Sequence, residues 1–312
     1  MKAFDVVTVG GATVDLFLLI DPQNPHLKFN SDTNELSIRL GDKVVLENSK
    51  LTVGGNANNV AVGLKRLGFN TALMAEIGND EFALEIAKTL KKEGVDSSLI
   101  KKGESPSSFS VILNYNEDRT IFTRKVEKKH DFNFQRLKTE WIYLTSMGVK
   151  WEEAYKKVGD YIQKTGTKLV FNPGGTQIDG GLESYSFILK LTEVLIVNRQ
   201  EGERIVNDEG LIINDLLFKL KRLGPKVVVV TDGDKGSYAI NDKGEVFDHE
   251  VIRVKVVSKT GAGDAYASGF LAAISSNKNI KEAMTWGTKN AASVIKLIGA
   301  QAGLMTLEQI QK

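Results

Sequence analysis

The chain has 312 residues, 42% of them hydrophobic, enough for one large α/β domain with an appendage and a proper core. It contains no cysteine, which excludes disulfides, thiolate metal sites and thiol nucleophiles, and its three histidines, His26, His130 and His249, lack ligand spacing, so any metal is expected to be oxygen-bound. A net charge of +2 provides no basic field for nucleic acid, and the lack of an apolar signal core or long uncharged apolar span predicts a cytoplasmic protein that does not engage a membrane.

In chain order, a strand-like run at residues 4–9 comes first, and Asp15 follows it at the carboxyl end, where ligands of open parallel sheets collect. Residues 16–52 read as short strands broken by Asp21-Pro22, Asn24-Pro25, Ser31-Asp32 and Gly41-Asp42, with no helix. Gly54-Gly55-Asn56-Ala57-Asn58-Asn59 leads into a helix over 58–67 stopped by Gly68, then a strand over 71–77 and a helix over 81–93 stopped by Gly94. A second strand pair is expected at 108–115 and 119–124. Strands at 141–144, 168–171, 194–197 and 227–230 then alternate with helices that include 152–164 and 211–223. A β-branched run at 254–257 passes through Thr260-Gly261-Ala262-Gly263-Asp264 into a helix over 265–276, and a last helix covers 280–297. This alternation predicts a mostly parallel sheet covered by helices. The strand excursions, about 16–52 and 108–125, are expected to meet as a small β-sheet lid on one body spanning 1–312.

Two clusters carry chemistry. At 260–264, residues without bulky side chains let the N–H groups of Gly261, Ala262 and Gly263 converge on an anion where a helix dipole favours negative charge. Asp264 beside them can accept the proton of an attacking hydroxyl, so the implied chemistry is phosphorylation of an alcohol. The spacing is neither that of a P-loop nor that of a dinucleotide fingerprint. At the other cluster, backbone at Gly54 and Gly55 can approach a ligand closely, Asn59 offers a donor and an acceptor, and Asp15 can accept from sugar hydroxyls. Alone, either cluster is equally a glycine turn with a capped helix.

In this order, Gly-Gly-x-x-x-Asn and Thr-Gly-Ala-Gly-Asp make the whole chain resemble the PfkB (ribokinase-like) carbohydrate kinase family. The resemblance implies a ribokinase-like three-layer α/β/α body with a small β-sheet lid, and transfer of phosphate from ATP with Mg2+ to a small sugar of the ribose, fructose or keto-deoxy class. Asn198-Arg199-Gln200-Glu201 matches the family's Asn-x-x-Glu, implying that Glu201 helps hold magnesium through water and that Asn198 faces the phosphates. Thr231, Gly233 and Gly236 match its nucleotide loop, and Asn290 corresponds to a position bordering the adenine. Ser258-Lys259-Thr260 stands where many members have Asp-Thr-Thr; the missing carboxylate argues against the family's monovalent-cation site, with Lys259 supplying a fixed charge instead, although Gly299-Ala300-Gln301 resembles the carbonyl loop of that site. Thr13 replaces a sugar-binding Asn, and 125–130 lacks a small Gly-Ala-Asn, so a plain ribokinase is not expected. A nucleoside kinase of the same family is the alternative, and a non-catalytic sugar or nucleotide sensor is more remote, since Asp264 and Glu201 are both retained. Exposed lid edges predict a homodimer through the lid.

Overall fold

The computed structural model describes residues 3–115, 118–124 and 126–312; Lys125, the expected end of the lid, lies outside them. At the centre an eight-stranded sheet runs in the order Val246–His249, Ser237–Ile240, Val227–Thr231, Val194–Asn198, Lys168–Asn172, Lys138–Thr145, Ala3–Val9, Thr71–Met74. The six strands from Val227–Thr231 to Thr71–Met74 are parallel, and the last two at the opposite edge are antiparallel.

Alternation along the central strands explains the layers. Val7, Ile142, Leu144, Phe171 and Val230 point to one face, packed under the helices Glu152–Thr165 and Ile213–Arg222. Val6, Trp141, Tyr143, Val170 and Val229 point to the other, under Asn56–Arg66, Ala262–Ser275 and Ile280–Val294. Because both faces are buried, these strands read as continuous apolar runs, and each fully buried Val contributes roughly 1.5–3 kcal/mol. Helix ends follow local chemistry: Asp80 caps Glu81–Glu93 through the Ala83 N–H and Gly94 closes it at φ 74°. No helix among the described residues is long and apolar enough to cross a membrane.

The two strand excursions meet in one four-stranded sheet, ordered Asp118–Arg124, Phe109–Tyr115, Thr13–Leu19, Asn48–Gly54. It begins at Thr13, earlier than expected, so Asp15 lies inside a strand, opposite Thr52 and Ser110. The hairpin Leu27–Asn30 with Glu35–Ile38 forms a separate two-stranded sheet. Two expectations are corrected. Residues 254–257, a β-branched run read as strand, form no strand; instead the Val257 and Ser258 N–H groups donate to the Ile295 carbonyl. The run at 71–77 breaks at Ala75, after which Glu76–Ile77 pairs with Lys101–Lys102.

Candidate active site

A cavity of about 460 Å3 opens where the carboxyl ends of strands Ala3–Val9 and Lys138–Thr145, the first turns of helices Asn56–Arg66 and Ala262–Ser275, and the four-stranded sheet converge. Period-two alternation aims one face of that small sheet inward: Thr13 and Asp15, Ser110 and Ile112, Arg119 and Ile121 all line the cavity.

Asp264, third residue of its helix, is 9% exposed. Its Oδ2 accepts from Asn59 Nδ2 at 2.8 Å, Asn59 Oδ1 accepts from Gln301 Nε2 at 3.0 Å, and the Gln301 carbonyl accepts from Arg66 Nη1 at 2.8 Å. The relay fixes which side of the Asn59 amide meets the carboxylate. Burial, opposed by the Asn59 hydrogen bond and reinforced by the charges of Asp15 and Glu201, pushes the Asp264 carboxyl up to about 7. Burial likewise pushes Asp15 up to about 6, against hydrogen bonds from Ser110 and Thr13. A carboxylate that titrates near neutrality is well matched to taking a proton from an alcohol.

The glycines set the clearances. A Cβ at Gly54 would overlap the Asp15 carboxylate, and one at Gly55, φ 92°, would come 2.6 Å from the Gly11 carbonyl oxygen. Gly261 caps its helix at φ 83°, where a Cβ would meet Ala300 Cβ at 2.5 Å. Gly263 faces open space, with nothing within 4 Å of an added Cβ. The first-turn N–H groups here have no partners inside the helix; that of Ala262 makes a long 3.4 Å contact with the Lys259 carbonyl before it.

Asn198, Glu201, Thr231, Gly233 and Gly236 are not among the cavity-lining residues; they continue along the same sheet edge. Asn198 and Thr231 are direct neighbours in register. Asn198 and Glu201 form a capping box: Asn198 Oδ1 accepts from the Glu201 N–H at 2.8 Å, and Glu201 Oε2 from the Asn198 N–H at 2.9 Å. Burial raises the Glu201 carboxyl. Arg199 ties this helix to the Thr231–Gly236 turn through Asp232 Oδ2 at 2.9 Å. Gly233, φ 56°, faces open space, and Gly236, φ 95°, packs on the His249 carbonyl. Among the described residues no cluster of three or more His, Asp or Glu could cage a metal ion, so an ion here would have to keep waters and phosphate oxygens, as magnesium does. Glu201, whose charge is felt at Asp264, is the carboxylate that fits such an ion.

Asn290 is wholly buried, its Nδ2 donates to the Ala265 carbonyl and to Ser268 Oγ, and its Oδ1 accepts from the Met305 N–H, so it braces two helices. In the expected carbonyl loop, the Gln301 carbonyl is taken by Arg66, and the Gln301 side chain reaches Asn59 instead. Ser258 is buried, and Lys259 is exposed at the cavity wall. Sequence reasoning missed Gln301 as the partner of Asn59, Ser110 as the partner of Asp15, and the cavity-lining trio Glu76, Lys128 and His130; only strand register or tertiary contact joins them to the site.

Comparison with known proteins accords with this geometry. The chain is 27% identical over 331 aligned residues to the 5-dehydro-2-deoxygluconokinase of Bacillus subtilis, covering 100% of this chain and 96% of that one. The structure of the Methanocaldococcus jannaschii nucleoside kinase, an archaeal member of the ribokinase family, superposes with a TM-score of 0.79 at 24% identity, covering 98% and 97% of the two chains. That of a ribokinase II from E. coli, in complex with ATP and Mg2+, gives 0.80 at 17% identity, covering 98% and 97%. The model of the pfkB family of carbohydrate kinases matches residues 27–307, and the chain belongs to that family: it is a sugar kinase with a ribokinase-like fold.

Proposed function

We propose that this kinase transfers the γ-phosphoryl group of ATP to a terminal hydroxyl of a keto-deoxy sugar acid of the 5-dehydro-2-deoxygluconate class. The observation that carries the chemistry is the position of Asp264, a carboxyl raised to about 7, in the same cavity wall as Gly261, Ala262 and Gly263. Asp264 takes the proton of the acceptor hydroxyl; its oxygen bonds to the γ-phosphorus as the bond to the bridging β–γ oxygen breaks, and ADP leaves. The first-turn N–H groups face the charge that accumulates on the transferred phosphoryl oxygens. Asp15, Gly54, Gly55 and Asn59 hold the sugar, with Asp15 accepting from its hydroxyls. Asn198, Thr231, Gly233 and Gly236 hold the nucleotide, and Glu201 would hold Mg2+ through water, where the ion would supply charge neutralisation for the phosphates. Asn290 only supports the helix behind them. The four-stranded sheet acts as a lid whose closure excludes water, which would otherwise compete as acceptor. Lys259 supplies the fixed charge that makes a monovalent cation unnecessary.

The substrate class rests on the full-length likeness to a 5-dehydro-2-deoxygluconokinase. The lid is also proposed to pair with a second copy. Its outer face carries Leu51 and Phe122, 50% and 59% exposed, on the same side as Leu16 and Val111.

The test is Mg2+-dependent ADP release by the wild-type protein across keto-deoxy acids, neutral pentoses and hexoses, and nucleosides. Turnover highest with the keto-deoxy acids is expected. Turnover confined to nucleosides would replace the reading with a nucleoside kinase, and strong activation by potassium would remove the role given to Lys259.

A further inference from the structure

Phosphoryl transfer as described uses the end of the cavity at Asp264. The wall formed by Glu76 and the segment 126–130 holds charged groups that this chemistry does not need. Glu76 follows the edge strand Thr71–Met74, whereas Asp264 lies near Tyr143, on the strand Lys138–Thr145, whose hydroxyl is raised first by burial and then by the Asp264 charge. Strand Ala3–Val9 lies between those two strands, so they are two strand spacings, about 10 Å, apart across the sheet. The five carbon–carbon bonds of a six-carbon chain and the bond to its terminal hydroxyl oxygen match the six backbone bonds of two extended residues, roughly 7 Å.

Two groups at this far wall are poorly satisfied. Lys128 is 6% exposed, yet among the described residues its ammonium has one hydrogen-bond acceptor, the Pro106 carbonyl at 3.0 Å, and no ion pair. Burial lowers its pKa, while the more distant charges of Glu76 and Asp80 favour its charged form. His130 is 4% exposed and neither ring nitrogen has a hydrogen bond of ordinary geometry, although the Val149 backbone stands near enough to favour protonation weakly. Burial holds that imidazole below its usual pKa, hence neutral at pH 7. A buried ammonium with one neutral acceptor and a buried imidazole with none both destabilise a fold unless something else satisfies them. Both line the cavity. The one carboxylate there, Glu76, already accepts the His130 backbone N–H at 2.7 Å.

We infer that this wall is a carboxylate subsite, in which the Lys128 ammonium and a His130 ring N–H bind the acid group of the substrate while its far hydroxyl lies at Asp264. The inference rests on the keto-deoxy acid reading and deepens it: Lys128 and His130 are the residues that select a sugar acid over a neutral sugar. A hydroxyl at this position would leave the ammonium without a counter-charge.

The experiment compares 5-dehydro-2-deoxygluconate with its neutral counterpart, the same chain with the carboxylate reduced to an alcohol, for the wild type, Lys128→Gln, Lys128→Arg and His130→Asn. The wild type should favour the acid. Lys128→Gln should raise KM for the acid and lower the acid-to-neutral ratio of kcat/KM about ten- to a hundredfold, the range of a charge-assisted hydrogen bond. Lys128→Arg should recover most of that ratio, and His130→Asn should lower it less. If Lys128→Gln fails to fold, the same ratio is read from Lys128→Arg and His130→Asn. A brace for Pro106 alone would depress both substrates alike and leave the ratio unchanged, which would overturn the inference but not the assigned reaction. A wild type that ignores the acid would overturn both.

Discussion

Replacing Asp264 with Asn removes the proposed base but keeps a carbonyl oxygen to accept from Asn59 Nδ2, so the two effects of the carboxylate can be measured separately. Activity should fall by about 10²- to 10⁴-fold, the usual contribution of a positioned general base. Stability should move the other way. Burial raises Asp264 from 3.8 to about 7 in the folded protein, and an acid whose folded pKa is raised contributes stability that is complete below the unfolded pKa and is lost as pH rises through the folded one. At about 1.4 kcal/mol per tenfold, the penalty of holding the ionised carboxylate is on the order of 4 kcal/mol at pH 8 and about 2 kcal/mol at pH 5. Asn never ionises. The variant should therefore melt above the wild type at pH 8, by about 5–10 °C if the full penalty is relieved, and by clearly less at pH 5. Calorimetric melts of both proteins at the two pH values decide the matter. A difference that does not change with pH, or a wild type that is the more stable at pH 8, would refute the claim that Asp264 is held as a strained, near-neutral base.

Gly261→Ala should lower the melting temperature, because its Cβ would meet Ala300 at a positive φ, whereas Gly263→Ala should leave melting intact and still cut turnover at least tenfold, because the space it fills is where the phosphoryl group is proposed to sit; equal melting losses in a thermal-shift assay would contradict this. Gln301→Ala should reduce kcat about five- to tenfold by freeing the Asn59 amide to turn, with the acidic limb of the pH–rate profile shifted; an unchanged profile would show that the relay is only structural. The acidic limb itself should titrate near 7 in the wild type as Asp264 loses its proton, and activity should rise with pH through it. Phe122→Lys should convert a dimer to a monomer by light scattering if the outer face of the lid is the interface.

What was legible in the sequence was local in the chain. Gly261, Ala262, Gly263 and Asp264 lie within one turn of a helix, so their mutual placement follows from helix geometry once the helix is recognised; the same holds for Asn198 and Glu201, three residues apart in a capping box. The parallel sheet was visible because strands buried on both faces read as unbroken apolar runs, as in Val227–Thr231. Residues 254–257, β-branched but broken by Lys255, form no strand, because a strand needs a pairing partner as well as a propensity; the Val257 N–H goes to Ile295 instead.

The residues that tune the site meet only through the fold. Ser110 reaches Asp15 because two excursions nearly a hundred positions apart pair in parallel, with Asp15 opposite Ser110; a slip of one residue would turn Ser110 to the outer face. Gln301 reaches Asn59 across 242 positions, from a loop whose backbone was expected to do the work that its side chain does. Asn290, which the family resemblance places at the adenine border, spends its side chain on three hydrogen bonds that brace its own helix pair, a role invisible in the sequence. Lys128 and His130 present the same problem in reverse. In sequence they belong to an ordinary run of charged residues, Glu127-Lys128-Lys129-His130, of the kind that usually faces solvent. Only burial separates Lys128, 6% exposed, from its neighbour Lys129, which faces solvent. Selectivity for the reacting hydroxyl could therefore be read from contiguous motifs, whereas selectivity for the rest of the substrate depends on which charges the fold removes from water.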